Sequence, residues 1–293
     1  MTTSTDTAGE LRIHPDTAVG TVRLTVADLD RSRSFYELAL GLPASELEDG
    51  ALALGANRRS ALIELRGDSS APRLSHRATG LYHLAILVPT RLDLAHAVRR
   101  LEGRWPLDGA ADHLVSEALY LSDPDGNGIE IYRDRPRDQW RRTAGGLQMA
   151  TLPLDLQDLV GELAGAGSPQ PTVPETTRIG HVHLQVAELD EAEAFYHGVL
   201  GFDVMVRAYP GALFVSAGGY HHHIGLNTWQ SAGGLAPAPG SIGLRSFEVE
   251  LPGAGELERV LARVRQACLE IEPTPEGGVV HDPSGNAVLL RSR

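Results

Sequence analysis

The chain has 293 residues, enough for two ordinary domains or an array of repeats, and its 42% hydrophobic content excludes a disordered polymer. Lys+Arg 26 against Asp+Glu 38 leaves a net charge of −12, which disfavours binding to nucleic-acid backbones. The single cysteine, Cys268, excludes a disulfide framework and a thiolate zinc site.

No apolar run reaches the roughly 18–20 residues of a membrane helix. The opening MTTSTDTAGE lacks the charge and apolar core of a signal peptide, so the expected compartment is the cytoplasm. The first dozen residues are expected to fray. A first unit begins near Gly20. In VRLTVADLDRSRSFYELALGL (22–42), Val22, Leu24 and Val26 alternate as a strand does, Asp28 and Asp30 are N-cap candidates, and a helix over SRSFYELAL ends at Gly41. A second unit begins near Gly80 with GLYHLAILVPTRLDLAHAVRRLEG and closes on the turn and strand SDPDGNGIEIY (122–132). A linker over 136–177 follows, with a short amphipathic helix in LPLDLQDLVGELAGAG and an extended SPQPTVPE.

The third unit, near Ile179, repeats the first. VHLQVAELDEAEAFYHGVLGF (182–202) matches 22–42 at an offset of 160, with Phe35–Tyr36 recurring as Phe195–Tyr196. The fourth, near Gly243, ends in HDPSGNAVLLR (281–291), the counterpart of 122–132. Each unit reads as strand, helix, then several strands. Units 1 and 2 cover 18–135 and units 3 and 4 cover 178–293.

Histidine is the notable residue, with 12 copies. His83 and His181 stand on the first strands of units 2 and 3. Glu130 interrupts the apolar strand GIEIY, where an inward carboxylate is costly unless paired or bound. GYHHHIGLN (219–227) concentrates three more histidines.

Four tandem βαβββ units carrying DLDRSRSFYELALGL, DPDGNGIEIY and AELDEAEAFYHGVLGF resemble the vicinal oxygen chelate superfamily: glyoxalase I, extradiol dioxygenases and antibiotic-resistance proteins. The resemblance runs over nearly the whole chain from about residue 18. It implies an α+β fold whose modules form half-open barrels, with metal ligands on the first and last strands of paired modules. At those places module 2 has His83 and Glu130, and module 3 has His181 and Gly225. Module 1 has Thr21, and module 4 has Ser246 and Leu289. Glu64 of module 1 is a further match, with nothing to accompany it. His83, Glu130 and His181 would make the two-His-one-carboxylate facial triad of non-haem Fe(II) oxygenases. Since these ligands come from modules 2 and 3, those modules are expected to face each other.

The resemblance also implies an acid/base histidine in an H-x-[VI]-[AG]-[LF] strand, which points to His222. Plain alternation from Gly225 points instead to His223 and His221, and a β-bulge would reconcile the two. His222 is the first choice and His223 the reserve. Tyr120 and His113 match places where extradiol enzymes carry a catalytic Tyr and a substrate- or oxygen-contacting residue. Tyr36 and Tyr196 are read as helix packing, Asp112 and Glu117 as solvated, and Asn227 and Trp229 as pocket rim. Modules 1 and 4 serve as scaffold or as a surface for a homo-oligomer.

The implied function is a metal-dependent extradiol ring-cleaving dioxygenase. It would act on a catechol-type or hydroquinone-type diol with O2, using Fe(II), with Mn(II) as the second choice. It is nearest to the catechol-2,3-dioxygenase-like group. Neither a nucleic-acid nor a membrane partner is expected. The alternatives are a glyoxalase-type isomerase or lyase, and a non-enzymatic drug-binding protein.

Overall fold

The structure is a computed structural model and describes residues 12–57, 61–143, 146–166 and 170–293. The expected fraying before residue 12 and the start of SPQPTVPE lie outside the described residues. Module 1 comprises β1 (Ala18–Val26), α1 (Leu29–Leu38), β2 (Ala44–Glu46), β3 (Leu52–Leu54) and β4 (Ile63–Gly67). Module 2 comprises β5 (Gly80–Leu87), α2 (Arg91–Leu101), β6 (Gly109–Asp112), β7 (Ser116–Ser122) and β8 (Gly128–Asp134). The bridge holds β9 (Arg142–Thr143), β10 (Gly146–Leu147), β11 (Leu152–Pro153) and α3 (Leu156–Gly161). Module 3 comprises β12 (Arg178–Gln185), α4 (Leu189–Glu193) running on into a wider-wound turn at Ala194–Val199, β13 (Asp203–Val206), β14 (Ala212–Ser216) and β15 (Ile224–Asn227). Module 4 comprises β16 (Gly243–Leu251), α5 (Ala254–Gln266), β17 (Glu272–Thr274), β18 (Gly277–His281) and β19 (Ala287–Ser292). This is the α+β architecture of four tandem βαβββ modules.

Local chemistry explains the repeat. The Asp28 carboxylate accepts from the Arg31 N–H and caps α1. Gly41, just past α1, turns the chain at φ +70°, where a Cβ would come within 2.9 Å of the Pro171 carbonyl oxygen. α2 opens on a Thr90–Asp93 capping box. The bridge helix is shorter than its sequence pattern, because Leu152 and Pro153 are taken up as β11, paired with β6 at the sheet edge.

The modules do not pair in sequence order. β1 lies antiparallel beside β16, which makes an eight-stranded sheet, β17-β18-β19-β16-β1-β4-β3-β2, from modules 1 and 4. β5 lies antiparallel beside β12, which makes a nine-stranded sheet, β11-β6-β7-β8-β5-β12-β15-β14-β13, from modules 2 and 3 with β11. Each curls as a half-barrel. One continuous core, including Val22, Leu24 and Phe247 from the first sheet and Leu84, Val182 and Leu184 from the second, joins them.

The tyrosines of the repeat do more than pack. Tyr36 Oη donates to Asp123 of the DPDGN turn at 3.0 Å, and Tyr196 Oη donates to Asp282 of the DPSGN turn at 3.0 Å. Each aspartate also receives the Asn Nδ2 four residues on at 2.9 Å. These buried bonds tie module 1 to module 2 and module 3 to module 4. The sheets, in contrast, tie 1 to 4 and 2 to 3.

Candidate metal centre

Residues in register on adjacent strands share a face, as do residues two apart on one strand. Glu130 on β8 stands beside Ala85 on β5, and Ala85 beside His181 on β12. Tyr120 on β7 stands on the far side of Glu130. The next row on the same face runs Ser122, Gly128, His83, His183, Gly225, Phe214. Two glycines make that row habitable. A Cβ at Gly128 would lie 2.1 Å from the Tyr82 carbonyl oxygen, and one at Gly225 would lie 2.9 Å from the His183 ring. The first row has its gap at Ala85, whose methyl leaves space between Glu130 and His181.

His83, Glu130 and His181 therefore converge. One ligand atom from each lies within 4.8 Å of the others, and all three residues are buried. His83 Nε2 and His181 Nε2 lie 3.0 and 3.1 Å from Glu130 Oε2. Two donors each about 2.1 Å from one ion and at right angles stand about 3.0 Å apart, so these separations suit one face of an octahedron. The contact with His181 is also aligned as a hydrogen bond. The contact with His83 is not, which leaves its buried Nε2 without a hydrogen-bond partner. A buried polar atom in that state is costly unless something else binds it.

The protonation states fit the same role. Burial pushes the Glu130 carboxyl up, but the facing imidazoles outweigh it and hold it well below the ordinary carboxylate range. Burial lowers His181 from 6.5 to about 4, against the pull of Glu130. Burial likewise drives His183 and His222 well below the usual imidazole value. An ionised carboxylate among neutral imidazoles is the state a metal ion requires of its ligands.

Above the donors opens a pocket of about 590 Å³. Tyr120 and His113 line it, joined by a 2.7 Å hydrogen bond from Tyr120 Oη to His113 Nε2. The direction follows from the other ring nitrogen, which lies 2.7 Å from the Ala150 carbonyl oxygen and must donate to it. Burial and the neighbouring Glu130 push the Tyr120 hydroxyl well above 10.

His222 lines the pocket with its ring centroid 4.0 Å from that of His181. His223 lies elsewhere. Its Nδ1 accepts from the Ala217 N–H at 3.1 Å, and it lines a separate cavity with Arg137 and Arg178. The expected β-bulge is not the device. His221–His223 precede β15, which begins at Ile224, so period-2 alternation does not extend back to them.

Three other expectations are corrected. Asn227 is fully buried and its Oδ1 accepts from the Trp229 N–H, so it is not on the rim, whereas Trp229 does line the pocket. Glu117 is buried rather than solvated, paired with Arg91 at 3.0 Å and Arg133 at 2.6 Å. Asp112 pairs with Arg135 at 2.6 Å. His183 escaped sequence reasoning altogether. It faces His83 across the strand pair with ring centroids 5.0 Å apart, lines the pocket, and has a buried Nε2 with no partner. The signal was present in HVHLQV, since residues two apart on a strand share a face.

Residues 18–131 and 178–290 match the Glyoxalase/Bleomycin resistance protein/Dioxygenase superfamily. A catechol-2,3-dioxygenase from Bacillus subtilis (strain 168) is 45% identical over 282 residues, covering 94% of this chain and 98% of that protein. Among solved structures, a Bacillus subtilis protein provisionally described as a dioxygenase aligns with a TM-score of 0.63 at 13% identity, covering 96% of this chain and 86% of that one. Glyoxalase I from Zea mays aligns with a TM-score of 0.56 at 15% identity, covering 94% and 92%. At those identities the solved structures speak for the fold alone. The chain belongs to the glyoxalase, bleomycin-resistance and dioxygenase superfamily.

Proposed function

We propose that this chain is an extradiol ring-cleaving dioxygenase held to its chemistry by Fe(II), with Mn(II) as second candidate. It acts on a catechol-type, or hydroquinone-type, aromatic diol and O2. The observation that carries the reading is the set of three convergent donors, His83, Glu130 and His181, of which His83 and Glu130 line an open pocket. The 45% identity to a catechol-2,3-dioxygenase supports it. A bound redox-active ion with three protein ligands supplies a path for electron density from the diol to O2.

The chain's own residues supply the rest. His222, neutral in its buried position, takes a proton from a substrate hydroxyl and returns it as the ring opens beside the two oxygens. Tyr120 Oη, held 2.7 Å from His113 Nε2 and next to Glu130, meets a second hydroxyl of the substrate. Tyr82, Phe214 and Trp229 surround His183 at ring distances of 5.2–5.6 Å and wall the pocket with flat apolar surface for an aromatic ring.

The test is metal analysis of anaerobically purified protein together with O2 uptake on a panel of catechols and hydroquinones. The reading requires stoichiometric iron or manganese and a coloured ring-opened product. His222→Phe is expected to keep the metal and lose about 10²–10⁴-fold in turnover, and Tyr120→Phe to lose less. Turnover of hemithioacetals without O2 consumption would replace the reading with a glyoxalase-type one.

A further inference from the structure

We propose that His221 and Asp134 form a positioning pair that fixes the tautomer of His222, so that His222 presents an unprotonated Nε2 to the pocket. His222 Nδ1 lies 2.7 Å from His221 Nδ1, and His221 Nε2 lies 2.9 Å from Asp134 Oδ1. Only one proton fits between the two Nδ1 atoms. An ionised carboxylate can only accept, so a neutral His221 carries its proton on Nε2 and offers Nδ1 as a lone pair. His222 must then donate from its own Nδ1. In the neutral ring that leaves Nε2 bare, which is the form a base needs.

The surroundings hold this direction. Tyr220 Oη donates to the same Asp134 Oδ1 at 3.1 Å, and Tyr132 Oη, 2.7 Å from Tyr220 Oη, donates in turn because Tyr220's proton is already committed. Two donors, Tyr220 Oη and His221 Nε2, thus converge on one carboxylate oxygen, which serves both as acceptor. Asp134 is on β8, and Glu130, Tyr132 and Asp134 share one face at period 2, so the strand that supplies a candidate metal ligand also supplies the anchor of the pair. His221 is fully buried, and Asp134 is 25% exposed at the far end of the chain of bonds. Gly180 leaves room for this network, since a Cβ there would lie 1.8 Å from Tyr132 Oη. In module 4 the places of Glu130 and Asp134 are taken by Leu289 and Arg293, so that strand has neither the carboxylate ligand nor the anchor.

The catalytic consequence rests on His222 being the acid/base of the proposed reaction, but the tautomer does not. The experiment is therefore two-armed. In full-length protein labelled with 15N-histidine, long-range 1H–15N correlations report which nitrogen of His222 carries the proton. They are read with diamagnetic Zn(II) and without added metal. The parent is expected to show His222 protonated at Nδ1, and Asp134→Ala to release it into a mixture of both tautomers. Asp134→Glu, which keeps the acceptor, is expected to restore the Nδ1 form. Turnover should fall by about 10–100-fold in Asp134→Ala, with metal content and KM unchanged, and recover in part in Asp134→Glu. Protonation at Nε2 in the parent, or an unchanged tautomer in Asp134→Ala, overturns the proposal. A parent without diol turnover but with the expected spectra overturns the dioxygenase reading and leaves the positioning pair standing.

Discussion

The two sheets are built alike and differ in what their concave faces do with polar side chains. In both, the first strands of two modules lie side by side antiparallel, with a last strand parallel to the outer edge of each of them. By register, His83 and His183 of the nine-stranded sheet correspond to Ser246 and Arg23 of the eight-stranded one. Ala85 corresponds to Glu248, Glu130 to Leu289, and Gly225 to Glu64. Arg23 pairs with Glu248 at 2.7 Å and Glu64 at 3.2 Å, Arg245 pairs with Glu64 at 3.1 Å, and Arg291 with Glu248 at 3.4 Å. One sheet neutralises its inward charges among themselves. The other gathers ligand atoms, and among the described residues no arginine or lysine pairs with Glu130. Glu64 shows the point: a carboxylate at a ligand-like position is structural once two guanidiniums hold it.

The comparison is broken most severely by removing a donor. Glu130→Gln, His83→Ala or His181→Ala should each abolish stoichiometric metal binding and with it O2 uptake, because each removes one of three protein donors. A variant that keeps full metal and full activity would remove the triad. Ala85→Glu imports the eight-stranded sheet's carboxylate without its arginines. It should fill the gap between Glu130 and His181, and bring metal content and turnover down by at least 100-fold in the same assays.

In the other sheet, Glu248→Ala should cost about 1.5–3 kcal/mol in urea unfolding, since it removes the carboxylate that holds Arg291 and leaves Arg23 with Glu64 in place of two close partners. Metal content at room temperature should be unaffected. A cost near zero would mean that the arginine–glutamate network is not what holds that face.

A pH experiment sharpens the contrast further. Below pH 6.5 an unfolded chain takes up a proton that the folded His181 refuses until about pH 4. The metal-free protein should therefore lose stability progressively as pH falls through that window, on the order of 3 kcal/mol from this residue, and gain nothing above it. His181→Phe should flatten the slope, as read from urea midpoints between pH 7 and pH 4. The smallest expected effect is that of Tyr36→Phe or Tyr196→Phe. Each removes one donor from an aspartate that keeps its others, and should cost about 1–2 kcal/mol by the same measurement.

Much of this was legible in the residues. The offset of 160 between VRLTVADLD and VHLQVAELD marked the repeat, and Glu130 stood out because a carboxylate in GIEIY is expensive without a partner. Other sites misled for identifiable reasons. Alternation pointed to His223 because it assumed that β15 begins earlier than it does. Glu117 looked solvated because its three arginines, Arg91 on α2 and Arg133 and Arg135 at the end of β8, come from two segments that lie away from it in sequence. His183 was passed over because Gly225, its neighbour, was read only as a missing ligand.

The sequence by itself determined the four strand-helix-strand units, their turns, and which side chains share a face of each strand. These follow from periods of 2 and 3.6 and from caps and glycines, all of which act within a few residues. Only the tertiary structure decided which modules share a sheet and what each inward charge meets. Burial makes a carboxylate costly wherever it occurs. Whether that cost is offset by an arginine from another module or is left for a metal depends on residues as distant as Arg23 and Glu248, or Glu130 and His181, and no local pattern encodes that partnership.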